Sequence, residues 1–284
     1  MNFTCVEKNY KKSNESKYFT WIVIEYLIDK INKSDKHINR KKNQIEKIER
    51  YRWKLQKAYY LAKICHWEKR RKDGSLYLTH PQSVAEILLY EIPYIDIEII
   101  IIWLLHDILE NYFMKVIKND PEISEMVEIK WKVEWVKILE ILFGKDIAES
   151  INKLSKNKVS SLPEEEKIYR DEQYFLDIQY YDDKTLLGKI ADRLHNLRTI
   201  EVMGLSHIQK KINETKTYFL PVIGDRIENI KLQLQKKKRK DWWYYNLETL
   251  LKTYEILERL LTIEIDRVTA YKLQQEELRK LLAN

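Results

Sequence analysis

Apolar residues recur at three- and four-residue spacing along most of this chain, the period of an amphipathic helix and not the alternation of a strand. From Lys17 to Lys33 the run Phe19, Ile22, Ile24, Leu27, Ile28 and Ile31 predicts one helix, and the Lys- and Asn-rich stretch Ser34–Asn43 predicts a solvated connector. A long helix follows over Gln44–Glu68, closed by the turn Lys69–Gly74. His80-Pro81 reads as a helix entry, because proline lacks only an N–H that the first turn does not use. Helices are then expected over Gln82–Tyr90 and Asp96–Asn111, with a turn at Asn119-Asp120-Pro121. The pattern continues with Lys132–Leu142, Asp146–Leu154, Glu164–Ile178, Asp183–Met203, Ser206–Phe219 and Pro221–Gln235, then an amphipathic tail over Leu247–Leu282.

Composition sharpens this into an all-α expectation. Five glycines and five prolines in 284 residues are too few for the turns of a sandwich, barrel or doubly wound sheet. Two cysteines, Cys5 and Cys65, exclude a disulfide framework or a cysteine-built zinc site. The N-terminal stretch Met1–Lys17 has no apolar core of the kind a signal peptide needs, and the most apolar run, Ile92–Leu105, carries Asp96 and Glu98 and is too short to span a bilayer. The expectation is a cytoplasmic protein with no membrane partner. A net charge of +7, from 51 basic and 44 acidic residues, suits an anionic substrate and equally an ordinary soluble surface.

Among six histidines, His80 and His106 combine with Asp107 and Asp192 into a two-histidine, two-aspartate set. Mixed imidazole and carboxylate donors suit Mn²⁺, Fe²⁺, Zn²⁺ or Co²⁺ better than the all-oxygen sites of Mg²⁺ or Ca²⁺. A cation so held can acidify a water and polarise a phosphoryl oxygen. Neighbouring helical residues point about 100° apart, so His106 and Asp107 need ligands from other helices to close a site. Glu110 lies one turn beyond the pair on the same face. Taken alone, the His106-Asp107 dipeptide fits a buried, hydrogen-bonded histidine better than a ligand, since the dipeptide is common.

The segment from His66 through Arg71-Lys72-Asp73-Gly74, Tyr77 and His80-Pro81, then Leu104-Leu105-His106-Asp107 and Glu110, then Phe143-Gly144, then Lys189-Ile190-Ala191-Asp192-Arg193-Leu194-His195-Asn196-Leu197-Arg198-Thr199, then Glu214-Thr215 and Pro221 resembles the hydrolase domain of the RelA/SpoT alarmone enzymes. The order and spacing hold from His66 to Pro221. The resemblance implies an all-helical bundle of the HD phosphohydrolase type that uses one Mn²⁺, or another divalent transition metal, to remove the 3′-pyrophosphate of guanosine tetra- and pentaphosphate. Carried over by motif, the metal ligands are His80, His106, Asp107 and Asp192. Water positioning falls to Glu110 and Asn111, and nucleotide binding to Arg71, Lys72, Asp73, Asn196 and Thr199. Two positions depart from the family. Asn111 stands where the bifunctional enzymes carry aspartate, and an amide accepts a hydrogen bond from water but cannot take its proton. Asp73 stands where serine is common. Arg193 reads either as a pocket residue or as an ion-pairing residue that holds its helix.

The implied organisation is an N-terminal helical extension over 1–43, the hydrolase domain over 44–235 and a helical tail over 236–284, a stand-alone hydrolase with nothing resembling the synthetase or regulatory domains of long family members. The basic run Lys236–Lys240 beside Trp242-Trp243-Tyr244-Tyr245 is expected to dock the tail through its rings; a nucleic-acid surface is the alternative. Three functions therefore stay in play. The first is alarmone hydrolysis, and the second is the same chemistry on a pyrophosphorylated tRNA 3′ end, an adenosine alarmone or NADPH. The third is a weakened member that binds nucleotide or a toxin-like synthetase and regulates it. The N-terminal helix is expected either to pack against the tail or to mediate a homodimer.

Overall fold

Every side chain from Ile97 to Leu105 is buried, and a helix apolar on all sides belongs inside a protein, where other helices cover each face. In the computed structural model, which describes residues 14–34, 38–66, 68–109, 125–155, 164–237 and 239–283, this segment is the central helix of a first compact unit. That unit contains α1 (Asn14–Ser34), α2 (Ile38–Cys65), α3 (Thr79–Glu86, widening into a π turn over Ile87–Glu91), α4 (Ile97–Leu105), α5 (Glu125–Phe143) and α6 (Lys145–Leu154). The second unit contains α7 (Glu164–Leu176), α8 (Asp183–Arg198), α9 (Leu205–Glu214), α10 (Leu220–Lys236) and α11 (Trp242–Ala283), together with residues 72–75 and 90–94. No β-strand occurs among the described residues; an isolated bridge between Arg70 and Leu76 is the nearest approach. The protein is all-α, as its sequence predicts. Among the described residues no helix is long and apolar enough to cross a membrane.

In the first unit α2 packs on α1 and α4, and α4 also meets α3 and α6, around a core that includes Leu55, Leu61, Ile101, Leu104 and Ile151. The entry of α4 is fixed twice. The Asp96 carboxylate caps the helix by accepting from the Glu98 N–H at 2.9 Å, a contact that satisfies an otherwise orphaned donor. Lys47 on α2 then pairs with Asp96 at 3.2 Å and Glu98 at 3.3 Å. Between α5 and α6 the chain turns at Gly144, whose φ of 97° is readily open only to glycine. There Lys54 donates to the Phe143 carbonyl at 2.7 Å.

Several boundaries differ from the sequence expectation. Helix α2 begins at Ile38, inside the stretch read as a connector, because Arg, Lys and Gln are good helix formers that need no apolar partner on a solvated face. The helix expected over Ser206–Phe219 ends at Glu214 and widens into a π turn over Thr215–Phe219, with the Leu220 N–H returning to the Thr215 carbonyl. Pro221 follows, and its missing N–H leaves the preceding turn without an ordinary helical bond.

In the second unit α11 docks through Leu247, Leu250, Tyr254, Leu257, Leu261, Ile265 and Val268, all buried and spaced three or four apart. Trp242 and Trp243 do not share that role; they are 59% and 49% exposed, so the tail is held by the buried stripe beyond them. Tyr254 donates to Asp183 at 2.6 Å, and Arg267 donates to the Leu197 carbonyl at 3.0 Å. Both contacts grip α8. The N-terminus of α8 is capped by Asp182, which accepts from the Thr185 N–H at 3.0 Å and its hydroxyl at 2.8 Å. Asp182→Ala is expected to lower stability by about 1–2 kcal/mol, read by urea denaturation of the full chain. A loss under a few tenths would show that the packing of α8 makes its cap redundant.

Candidate metal centre

His106 is the C-cap of α4 and keeps helical dihedrals, so its ring stays over the last turn, 4.6 Å from the Trp103 indole. Its Nδ1 lies 2.7 Å from the Trp103 carbonyl. A carbonyl only accepts, so Nδ1 carries a proton and Nε2 is the nitrogen turned to the site. That Nε2 is 3.2 Å from an Asp107 carboxylate oxygen. Two acceptors at this separation need a proton or a cation between them.

His80, in the first turn of α3 and followed by Pro81, brings its ring to 5.4 Å from that of His106. One donor atom each from His80, His106 and Asp107 lies within 4.8 Å of the others, and both histidines are buried. Two imidazoles and a carboxylate at the negative end of a helix dipole suit a divalent transition metal. Tyr77 donates its hydroxyl to Asp107. Burial works to raise the Asp107 pKa, but His106, His80 and the Tyr77 hydrogen bond outweigh it and hold the carboxyl well below the usual range. The group is an anion throughout the physiological range.

Around this cluster the loop after α2 is tightly organised. The Tyr77 N–H returns to the Lys69 carbonyl at 2.7 Å, the Lys69 ammonium lies 3.7 Å from the centre of the Tyr77 ring, and His66 packs against the same ring at 4.7 Å. His66 is pushed down to about 4, mainly by burial, and is neutral at pH 7.

Asp192 sits on α8 in the second unit, 7% exposed. Its two oxygens accept from Lys189 at 3.1 Å and from Asn196 at 2.7 Å, one turn to either side on the same helical face. Burial works to lower the Lys189 pKa, but Tyr174 and Asp192 outweigh it and keep the ammonium charged. Thr199 is the C-cap of α8, its hydroxyl donating to the His195 carbonyl at 3.1 Å. Arg193 is the ion-pairing residue, 3.0 Å from Glu214 and stacked 4.6 Å from the Phe219 ring.

The remaining expected residues divide. Arg71 is half-buried, while Lys72 and Asp73 are exposed. The Asp73 carboxylate accepts from the Ser75 N–H at 2.9 Å and its hydroxyl at 2.6 Å, shaping a turn that passes through Gly74 at φ 84°. Glu110 and Asn111 lie outside the described residues. Residue spacing gave no role to Tyr77 toward Asp107, or to Lys189 toward Asp192. The first contact joins residues 30 apart and leaves no local signal; the second follows a three-residue helical spacing that the sequence displays.

The HD domain model matches residues 58–226, more than half of the chain and all of the motifs above. A GTP pyrophosphokinase of Myxococcus xanthus is 31% identical over 172 residues, covering 59% of this chain and 20% of that protein. A probable guanosine-3′,5′-bis(diphosphate) 3′-pyrophosphohydrolase of Synechocystis is 32% identical over 170 residues, covering 58% and 19%. The bifunctional (p)ppGpp synthase/hydrolase SpoT of Escherichia coli is 28% identical over 186 residues, covering 64% and 23%. The chain thus spans about a fifth of the length of these curated relatives. The matched segment begins within α2, runs through the His80, His106 and Asp107 cluster and extends past Asp192: the chain belongs to the HD domain family.

Proposed function

We propose that the protein is a Mn²⁺-dependent pyrophosphohydrolase that removes the 3′-pyrophosphate from guanosine tetra- or pentaphosphate. The observation that carries the reading is the convergence of His80, His106 and Asp107, with the His106 Nδ1 proton committed to the Trp103 carbonyl and Nε2 turned to Asp107. The substrate class comes from the relatives named for this nucleotide. Asp192 is proposed as the fourth ligand on the register of its motif, with Lys189 and Asn196 orienting its carboxylate. When bound, a divalent ion in such a set lowers the pKa of a coordinated water and stabilises charge on a phosphoryl oxygen.

The chain's residues then divide the work. Water attacks the phosphorus joined to the ribose 3′ oxygen, the P–O bond to that oxygen breaks, and pyrophosphate leaves while the 3′ oxygen takes a proton. Glu110 accepts the water's proton, and Asn111 fixes the water by hydrogen bonding. Arg71 and Lys72 meet base and phosphates, a guanidinium being able to pair with phosphate and stack on a ring. Thr199 lines the nucleotide side.

One observation favours a second substrate: the exposure of Trp242 and Trp243, with Lys237 over the Trp243 ring and Lys240 over that of Tyr244, would suit a pyrophosphorylated tRNA 3′ end. A single panel decides between the two. Purified protein with Mn²⁺ is expected to release pyrophosphate from guanosine tetraphosphate faster than from the adenosine analogue, NADPH or 3′-pyrophosphorylated tRNA. Faster turnover of tRNA, lost in a Trp242→Ala/Trp243→Ala variant, would replace the first substrate with the second. No turnover of any of them by metal-loaded protein would reject the enzymatic reading.

A further inference from the structure

His66 directly follows α2, its backbone N–H still bonded to the Ala62 carbonyl at 3.0 Å, and it is 3% exposed. Neither ring nitrogen has a hydrogen-bond partner among the described residues. Leaving such groups buried and unpaired costs about 1–3 kcal/mol each, while a phenyl ring of similar shape would fill the position without that penalty. Two residues on, Glu68 adopts φ 61°, a left-handed conformation that non-glycine residues rarely take and that costs on the order of 1 kcal/mol. Just beyond it the Lys69 ammonium lies against the Tyr77 ring, on which His66 also packs. An unsatisfied imidazole and a strained turn at the same place indicate a position held for function.

The surroundings identify the ligand chemistry. His66 lies within electrostatic reach of Asp107, His106, His80 and Lys69. A neutral His66 ring has one N–H to give, and the Lys69 ammonium lies against the Tyr77 ring on which His66 packs, while the Tyr77 hydroxyl is already given to Asp107. An unpaired N–H beside a cation and next to a metal cluster fits an anionic oxygen. We propose that His66 is a substrate-contacting residue whose ring edge hydrogen-bonds a non-bridging oxygen of the pyrophosphate group during hydrolysis. This rests on the reading of the site as a pyrophosphohydrolase and adds to it the residue that grips the departing group.

Inorganic pyrophosphate is the probe. Titrated calorimetrically into the Mn²⁺-loaded full chain, it is expected to bind at least about tenfold more weakly to His66→Phe than to wild type, tenfold being about 1.4 kcal/mol. His66→Gln, which keeps an N–H donor, should recover part of the difference. Mn²⁺ affinity is expected to stay within about twofold in both variants, since His66 is no ligand. Should His66→Phe fail to fold, the ring-nitrogen resonances of His66 in wild-type protein loaded with Zn²⁺ give the same answer, and they should shift on adding pyrophosphate. Unchanged pyrophosphate affinity in a folded His66→Phe protein, or unmoved resonances, would reduce His66 to a buried ring or the holder of a structural water and overturn the proposal. A parallel loss of Mn²⁺ affinity would also overturn it, by showing that His66 acts through Tyr77 and Asp107. The substrate reading stands apart from this result: His66-dependent pyrophosphate binding without turnover of guanosine tetraphosphate would sink that reading alone, and turnover indifferent to His66 would sink this inference alone.

Discussion

Asp107→Ala is expected to reduce Mn²⁺-stimulated pyrophosphate release by about 10³-fold or more, equivalent to roughly 4 kcal/mol in the barrier, while leaving the protein folded. Among the described residues Asp107 contributes the only carboxylate of the cluster, so the change removes the charge that most favours a cation there. It also strands the Tyr77 hydroxyl and the His106 Nε2, both of which now meet that carboxylate. Mn²⁺ binding, followed by calorimetry, should weaken by about two orders of magnitude, because two neutral imidazoles alone hold a divalent ion poorly. Asp192→Asn tests the motif's assignment of the fourth ligand. Its amide can still accept from Lys189 or Asn196, so a fall in Mn²⁺ affinity without loss of folding would identify a ligand role. Full activity in Asp107→Ala would remove the cluster from the chemistry.

The two substitutions also mark what the sequence displays and what it hides. The helices were legible because their apolar period persists over many turns, and the extreme case, Ile97–Leu105, announces its central position by being apolar at every residue after Glu98. Asp96 as a cap and Gly144 as a turn follow from local chemistry. What spacing cannot supply is contact between distant segments. Lys54 meets the Phe143 carbonyl across 89 residues, and Tyr77 meets Asp107 across 30; neither leaves a trace in either sequence neighbourhood. The helix start at Ile38 was missed for a different reason, since a lysine-rich run satisfies both a solvated loop and a solvated helix. At the site, the identity of His80, His106 and Asp107 could be read from the chain, but the tautomer of His106 could not. It is set by the Trp103 carbonyl one turn back and depends on where that turn ends.

Arg193→Ala is expected to cost about 3–5 kcal/mol, the usual consequence of stranding one partner of a buried ion pair. Arg193 and Glu214 are 5% and 7% exposed, and Phe219 stacks on the guanidinium, so little solvent is available to replace the lost contact. Glu214→Gln should cost less, because Lys211 at 2.8 Å is less buried and can turn to water. The pair also has a pH signature. Burial works to raise the Glu214 pKa, but Arg193 and Lys211 outweigh it and bring it below the ordinary value of 4.5. A carboxyl whose folded pKa is depressed stabilises the fold fully above its unfolded pKa and loses that contribution as pH falls through the folded one. The stability gap between wild type and Glu214→Gln, measured by urea denaturation, should therefore be constant from pH 6 upward and narrow below about pH 4.5. A gap that persisted unchanged at pH 3 would assign the stability to packing against Phe219 and not to charge. Arg193→Met combined with Glu214→Leu is the complementary case. With both charges gone and the apolar volume kept, most of the single-variant loss should be recovered, and a double variant as unstable as Arg193→Ala would mean that the orientation of α8 depends on the hydrogen bond itself.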